Sequence, residues 1–405
     1  MLEETEKPEL ASAQKVFLPD LLASFTCDRC GECCNVWEIP IDRDAYDRVV
    51  AALGDEAAGH LDVVDADSHF GYARLRLAGR HCPFQEGKLC RIHRDCGDEI
   101  LFPECRKFPR ILFRTPLALH CTASFACRKT VESLATADRV RILHVMSDTL
   151  PFDPELCDTN VEGPPCLCRG RPLTWEALFA LENGFLEILR EGKRSPGHRL
   201  LTMIEMVRDL AQEDDGPLDK SSVDRELQTA RVDGFDELSS RFLLAATDID
   251  AQIDFILTMV DTRLRAGLQR GWEVAPLDAA LSRWSGLSRD ERRRRFLDDN
   301  RRLYMTAGEK VMRIIENYLV CRVSGNPDFA LRDVQTALGA VAALLTLIRA
   351  VAVALAAASK SPVTPPIILD SIRAVDTAFF HLPDFADVVQ ERSVDPASLL
   401  IVTPA

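Results

Sequence analysis

Four cysteines fall within eight residues in the stretch Cys27-Asp-Arg-Cys-Gly-Glu-Cys-Cys34. Side chains at this density suit a metal centre better than a hydrophobic core. The first three keep a C-x2-C-x2-C rhythm, which lets one turn of loop wrap three thiolates around a single inorganic centre, as in ferredoxin-type runs. The fourth ligand must come from elsewhere. Downstream thiols stand in His81-Cys82-Pro-Phe, Leu89-Cys90-Arg-Ile-His93 and Pro103-Glu-Cys105, followed by Cys121, with Cys96 and Cys127 completing the region. His81 and His93 are expected beside such a centre rather than bound to it.

Thiolates are soft ligands, so the metals they imply are zinc and iron–sulfur clusters, with copper third. A closed zinc site takes four cysteines and a [4Fe–4S] cluster also takes four; the opening spacing tilts the choice towards iron–sulfur. Side chains of the adjacent Cys33 and Cys34 diverge, so they can serve different centres. Of 14 cysteines, 13 lie between Cys27 and Cys168 and only Cys321 lies beyond, which confines the metal chemistry to one region. The acidic start Met-Leu-Glu-Glu-Thr-Glu has neither the basic end nor the apolar core of a signal peptide, so a cytoplasmic location is expected. In a reducing compartment a cysteine cluster holds metal more readily than it forms disulfides, the main alternative.

The rest of the 405-residue chain is ordinary globular material, 47% hydrophobic and 28% charged. Its net charge of −14 argues against a phosphate-tracking, nucleic-acid-binding surface. Breakers, short apolar patches and the lack of a long helical period predict a loop-rich, metal-organised domain over residues 20–130. A connecting helix and Pro-rich linker are expected over 131–172, where Cys157 and the Cys166-x-Cys168 pair lie, and a helical domain over 173–405. Thr174-Trp-Glu-Ala-Leu-Phe opens an amphipathic helix with a Thr cap, and similar periods recur near 199–213, 235–267, 290–305 and 308–322. The fold class expected is therefore mainly α. The 22 residues Ala337 to Ala358 have transmembrane length, but Arg349 near their middle predicts a buried helix and no membrane span. The Arg-rich run from Arg289 to Arg302 reads as a solvated helix face.

Cys27-x2-Cys30-Gly-x-Cys33-Cys34, Cys82-Pro-Phe, Leu89-Cys90-x-Ile and Cys105-Arg-x-Phe-Pro109 together resemble a cysteine-cluster family of zinc- or iron-chelating proteins, over roughly residues 25 to 122. Among its longer members the chain looks most like the flagellin lysine-N-methylases. Glu316-Asn317-Tyr318-Leu319 and the segment from Ile368 to His381 extend the likeness less specifically. Cys121 is followed by Thr where that pattern has Pro. The ligands then expected are Cys27, Cys30, Cys33, Cys34, Cys82, Cys90, Cys105 and Cys121. What the resemblance implies is methyl transfer from S-adenosylmethionine to lysine side chains of flagellin or a similar protein. No G-x-G-x-G turn supports a Rossmann-type cofactor site. By residue type alone, Trp37, Glu38 and Tyr318 could hold a lysine chain. The alternative is a non-enzymatic zinc- or iron-binding module with a helical interaction platform.

Overall fold

The computed structural model describes residues 14–35, 38–64, 71–79, 81–212, 216–232, 249–270, 274–382, 384–392 and 395–400. Beyond residue 174 the described residues are mainly helical, as the periodicity predicts. Thr174 caps the helix Trp175–Arg190 by accepting the Ala177 N–H at 3.1 Å. Further helices run over Pro196–Gln212, Ile249–Arg270, Arg289–Asp299 and Glu309–Val323. The first part of the helix expected from residue 235 lies outside the described residues. Ser288 and Glu291 form a reciprocal capping box that starts the Arg-rich helix. Its Arg289 and Arg292 pair with Asp250 and Asp254 of the neighbouring helix, each at 2.8 Å, so this face is a solvated ion-pair seam.

The long apolar helix Val334–Ser359 lies inside the protein, with 89% of its most hydrophobic window buried. A helix apolar on every side is stable in water only when other elements cover every side. Arg349 is accommodated because the chain near the C-terminus folds over it. Its guanidinium donates to the carbonyls of Leu399 (3.1 Å) and Leu400 (3.2 Å), and Thr346 donates to Leu399 at 2.9 Å.

The expectation of a loop-rich N-terminal domain is corrected by the strands it contains. A five-stranded sheet runs in the order Thr159–Asn160, Arg110–Arg114, Leu119–Ala123, Lys15–Pro19 and Ile142–Met146. A second, three-stranded sheet joins Pro40–Ile41, Ala73–Leu75 and Leu61–Val63. None of these strands exceeds five residues, and every residue of Leu119–Ala123 is buried. Strands of two to five residues are too short to establish an alternation, and Leu119–Ala123, buried on both faces, shows none.

The apolar interior divides into two clusters. The smaller gathers Ile41, Val49, Leu61, Leu75, Phe84, Ile92 and Phe102 around the three-stranded sheet. The larger runs from Val16 and Leu112 on the five-stranded sheet to the helical half as far as Leu399. The five-stranded sheet and the helices therefore share one core, and the cysteine-bearing loops lie where this body meets the smaller one.

Candidate metal centre

The loop that carries the first four cysteines is shaped by its backbone. Arg29 and Gly31 both adopt left-handed conformations (φ 56° and 77°), which coil the chain tightly enough for the Arg29 N–H to donate to the Cys27 Sγ at 3.3 Å. Gly31 meets the positive φ of this turn without strain, and a Cβ there would displace the end of the Gln85 side chain, whose Nε2 stands 2.1 Å from that position.

Asn35 pins this loop to the next cysteine segment. Its side-chain amide donates to the Gly31 carbonyl at 3.0 Å, and its carbonyl oxygen accepts the Cys82 N–H at 2.9 Å. A hairpin then pairs Gln85 with Cys90 and carries the chain into the helix Arg91–Cys96. On the other side, Arg128 reaches Glu32 at 3.0 Å and Lys129 pairs with Asp28, so the residues after Cys127 grip the loop directly. Arg373, from the helix Pro365–Val375, meets the same Glu32 at 2.5 Å. Replacing Asn35 with Ala removes two of these ties. Unfolding free energy is expected to fall by roughly 1–3 kcal/mol, measured by urea titration, with Asn35→Asp recovering part of the loss because it keeps the acceptor.

The thiols in this region are surrounded by donors. Cys90 and Cys127 are the N-cap residues of the helices Arg91–Cys96 and Arg128–Thr136. Neither sulfur accepts a cap hydrogen bond, but the N–H groups two and three residues on, Ile92 and His93 at Cys90 and Lys129 and Thr130 at Cys127, lie near enough to favour its thiolate. Phe84 and Gln85 do the same for Cys82. Cys105 lies in the first turns of the helix Pro103–Lys107. Amides aimed at a sulfur, at the positive end of a helix, favour the thiolate that binds metal.

Against this stand burial and mutual repulsion. Desolvation pushes the Cys82 thiol up to about 12, with the neighbouring charges of Cys34 and Cys90 adding to it. Cys105 rises well above the ordinary thiol range from desolvation and from Cys34, Cys82 and Cys90. Cys33 donates its hydrogen bond to Cys34, which holds Cys34 down to about 7 while Cys33 itself rises. A bound cation relieves this repulsion.

The structure thus brings Cys27, Cys30, Cys33, Cys34, Cys82, Cys90 and Cys105 within electrostatic reach of one another, and adds Cys127, which the sequence reading left unassigned. Cys121 is placed elsewhere. It lies in the buried strand Leu119–Ala123, faces the charges of Arg110 and Asp158, and gives its S–H to the Thr122 carbonyl. All 14 cysteines are free of disulfides. Among the described residues, no three Cys, His, Asp or Glu side chains close to the spacing of a single bound ion. The donors fit a soft metal in type and in their N–H partners, without converging on one point.

Of the residues considered for holding a lysine, Trp37 lies outside the described residues. Glu38 is paired with Arg74 at 3.2 Å, and Tyr318 is fully buried against Phe125. The Glu316-Asn317-Tyr318 stretch is a brace. Glu316 binds Arg199 at 3.1 Å, and Asn317 accepts from the Val140 N–H and donates to the Leu134 and Ala137 carbonyls. Two open surface hollows, one beside Arg294 and Arg295 and one beside Lys220 and Asp224, include no cysteine.

Part of the chain is similar to known proteins. It is 28% identical over 118 aligned residues to a protein named Lysine-N-methylase from Salmonella choleraesuis (strain SC-B67), a match covering 27% of this chain and 29% of that relative. A Salmonella typhimurium protein of the same name is 27% identical over 118 residues. The Flagellar biosynthetic protein FliU of Salmonella muenchen is 26% identical over 118 residues, covering 27% of this chain and 70% of its own length. The chain therefore spans less than a third of the length of the lysine-N-methylases it matches. No family model and no solved structure matches it.

Proposed function

We propose that this chain is a cytoplasmic metalloprotein whose thiol-rich region holds an iron–sulfur centre, [4Fe–4S] in preference to zinc. In this reading it methylates lysine side chains of flagellin or a similar surface protein, using S-adenosylmethionine. The observation that carries the metal part is the gathering of free thiols under backbone N–H donors. The similarity to proteins named Lysine-N-methylase supports the methylase part. Cys27, Cys30, Cys33, Cys34, Cys82, Cys90 and Cys105 would hold the metal. Nucleic acid has no place in this reading, since the protein is strongly acidic.

S-adenosylmethionine supplies an electrophilic methyl group. The protein's part is to present a lysine amine without its proton and to exclude water, so that nitrogen bonds to the methyl carbon as the carbon–sulfur bond breaks. A second reading, a non-enzymatic metal-held interaction module, is favoured by one observation: Glu316 and Asn317 are buried and tied to Arg199 and to backbone groups.

Metal-replete protein should bind S-adenosylmethionine saturably and transfer a labelled methyl group to purified flagellin, at lysines located by peptide mass spectrometry. Metal-replete protein that neither binds the cofactor nor methylates flagellin would overturn the enzymatic reading in favour of the second.

A further inference from the structure

We propose that the hollow between the helices Ala275–Trp284 and Arg289–Asp299 binds a small phosphate-bearing anion, a diphosphate or a phosphate monoester, held by Arg294 and Arg295. The site stands apart from both the metal and the methylase readings and depends on neither.

The Arg-rich helix sorts its charges by its period. Arg289, Arg292 and Arg293 face the neighbouring helix Ile249–Arg270, where Asp250 and Asp254 take all three. Glu291, Arg294, Arg295 and Asp298, spaced i, i+3, i+4 and i+7, form a stripe on the other side. With Arg302, Asp299 and Arg283 they line a hollow of about 430 Å³, a size that takes a small ligand. At the end of the stripe the helix widens into a π-turn over Asn300–Tyr304, closed by the Met305 N–H on the Asn300 carbonyl at 3.0 Å. Turns of this kind recur at functional sites.

Each carboxylate in the hollow already has a partner. Asp299, wholly buried, accepts the Nε and Nη2 of Arg283 at 2.7 and 2.6 Å, which fixes that guanidinium in place. Asp298 pairs with Arg302 at 2.9 Å. Glu291 is turned back to the helix start, where it accepts the Ser288 hydroxyl at 2.6 Å and the Ser288 N–H at 3.2 Å. Two guanidinium groups remain. Arg294 donates its Nε to the Asp290 carbonyl at 3.3 Å and forms no ion pair, and Arg295 has neither a hydrogen-bond nor an ion-pair partner among the described residues.

Two unpaired cations on one stripe repel each other, and a dianion set between them removes that repulsion. Planar N–H forks match phosphoryl oxygens in geometry as well as in charge. Four arginines against three carboxylates leave the lining cationic on a chain whose net charge is −14, so the hollow is a local positive feature of an acidic protein. Glu291 opposes the ligand by its charge, which gives the site a residue whose neutralisation should strengthen binding.

The test is isothermal titration calorimetry of the full chain with inorganic pyrophosphate, and with acetate as the control, at constant ionic strength. Wild type should bind pyrophosphate saturably at one site and acetate far more weakly. Arg294→Gln and Arg295→Gln should each weaken pyrophosphate binding about tenfold, since each removes a charged hydrogen-bond donor. Arg301→Gln, an exposed arginine of the same π-turn that does not line the hollow, should leave it unchanged. Glu291→Gln keeps an oxygen for the Ser288 cap and should tighten binding about threefold. Circular dichroism checks that these surface variants fold. Absence of saturable pyrophosphate binding in wild type, acetate bound as tightly, or a loss in Arg301→Gln equal to that in Arg295→Gln would overturn the site, the last by showing that only diffuse positive charge is at work.

Discussion

Replacing Glu182 with Gln is expected to stabilise the protein at pH 8 and to flatten its stability between about pH 4.5 and 8. Glu182 lies on the helix Trp175–Arg190 among Leu181, Phe185 and Leu186, is 8% exposed, and has no cation paired with it among the described residues. Burial alone pushes its carboxyl from 4.5 up to about 8, so the folded protein keeps this proton at neutral pH. The unfolded chain, with an ordinary carboxyl, gives it up near pH 4.3. The group's contribution is therefore fully present below the unfolded pKa and is lost as pH rises through the folded one. The slope is about 1.4 kcal/mol per pH unit, on the order of 5 kcal/mol across the interval. Glutamine keeps the shape and never ionises. Urea unfolding of both proteins at pH 5, 7 and 8.5 reads the difference, and parallel pH profiles for wild type and variant would sink the prediction.

A loss of similar size is expected when the ion pair between Arg322 and Asp376 is broken. Both side chains are almost wholly buried. Asp376 pairs with Arg322 through one oxygen, while the other accepts the N–H groups of Phe125 (2.7 Å) and Ala126 (3.1 Å). Arg322 also donates to the Ala123 carbonyl at 2.8 Å and lies 3.5 Å over the Phe380 ring. Arg322→Met would leave the Asp376 carboxylate buried without its cation and the Ala123 carbonyl without its donor, while Asp376→Leu would strand the guanidinium and the Phe125 and Ala126 N–H groups. Removing one partner of a buried pair costs about 3–5 kcal/mol, whereas removing both costs less than the sum. The double variant Arg322→Met with Asp376→Leu should therefore be destabilised by less than the two singles added together. Additive losses, or a single loss below about 1 kcal/mol, would show that the pair is uncoupled.

The helical half could be read in the sequence because its helices are long enough to repeat their period several times, and Thr174 and Ser288 mark two of the starts. The sheets could not, because their strands are too short to repeat an alternation and Leu119–Ala123 is covered on both faces. Cysteines 27, 30, 33, 34, 82, 90 and 105 announce themselves by density and by neighbouring turn residues. Cys127 has no spaced partner, and its only sequence signal is that it directly precedes a helical run, as Cys90 does. Cys121 shares the residue type and the region with them, but the direction of its hydrogen bond is set by strand pairing that spacing cannot report. The braces at Asn317 and Asp376 span 177 and 251 residues of sequence to Val140 and Phe125, so no local pattern could reveal them.

The most direct measurement is a visible absorption spectrum with iron, zinc and inorganic sulfide analysis on protein purified without oxygen. A thiolate-held iron–sulfur centre should give broad visible absorption with matching iron and sulfide. Colourless protein with stoichiometric zinc would keep the thiolate centre and overturn the choice of iron–sulfur. Protein holding neither iron nor zinc above trace, with Cys27, Cys34 and Cys105 freely titratable, would contradict the metal centre altogether.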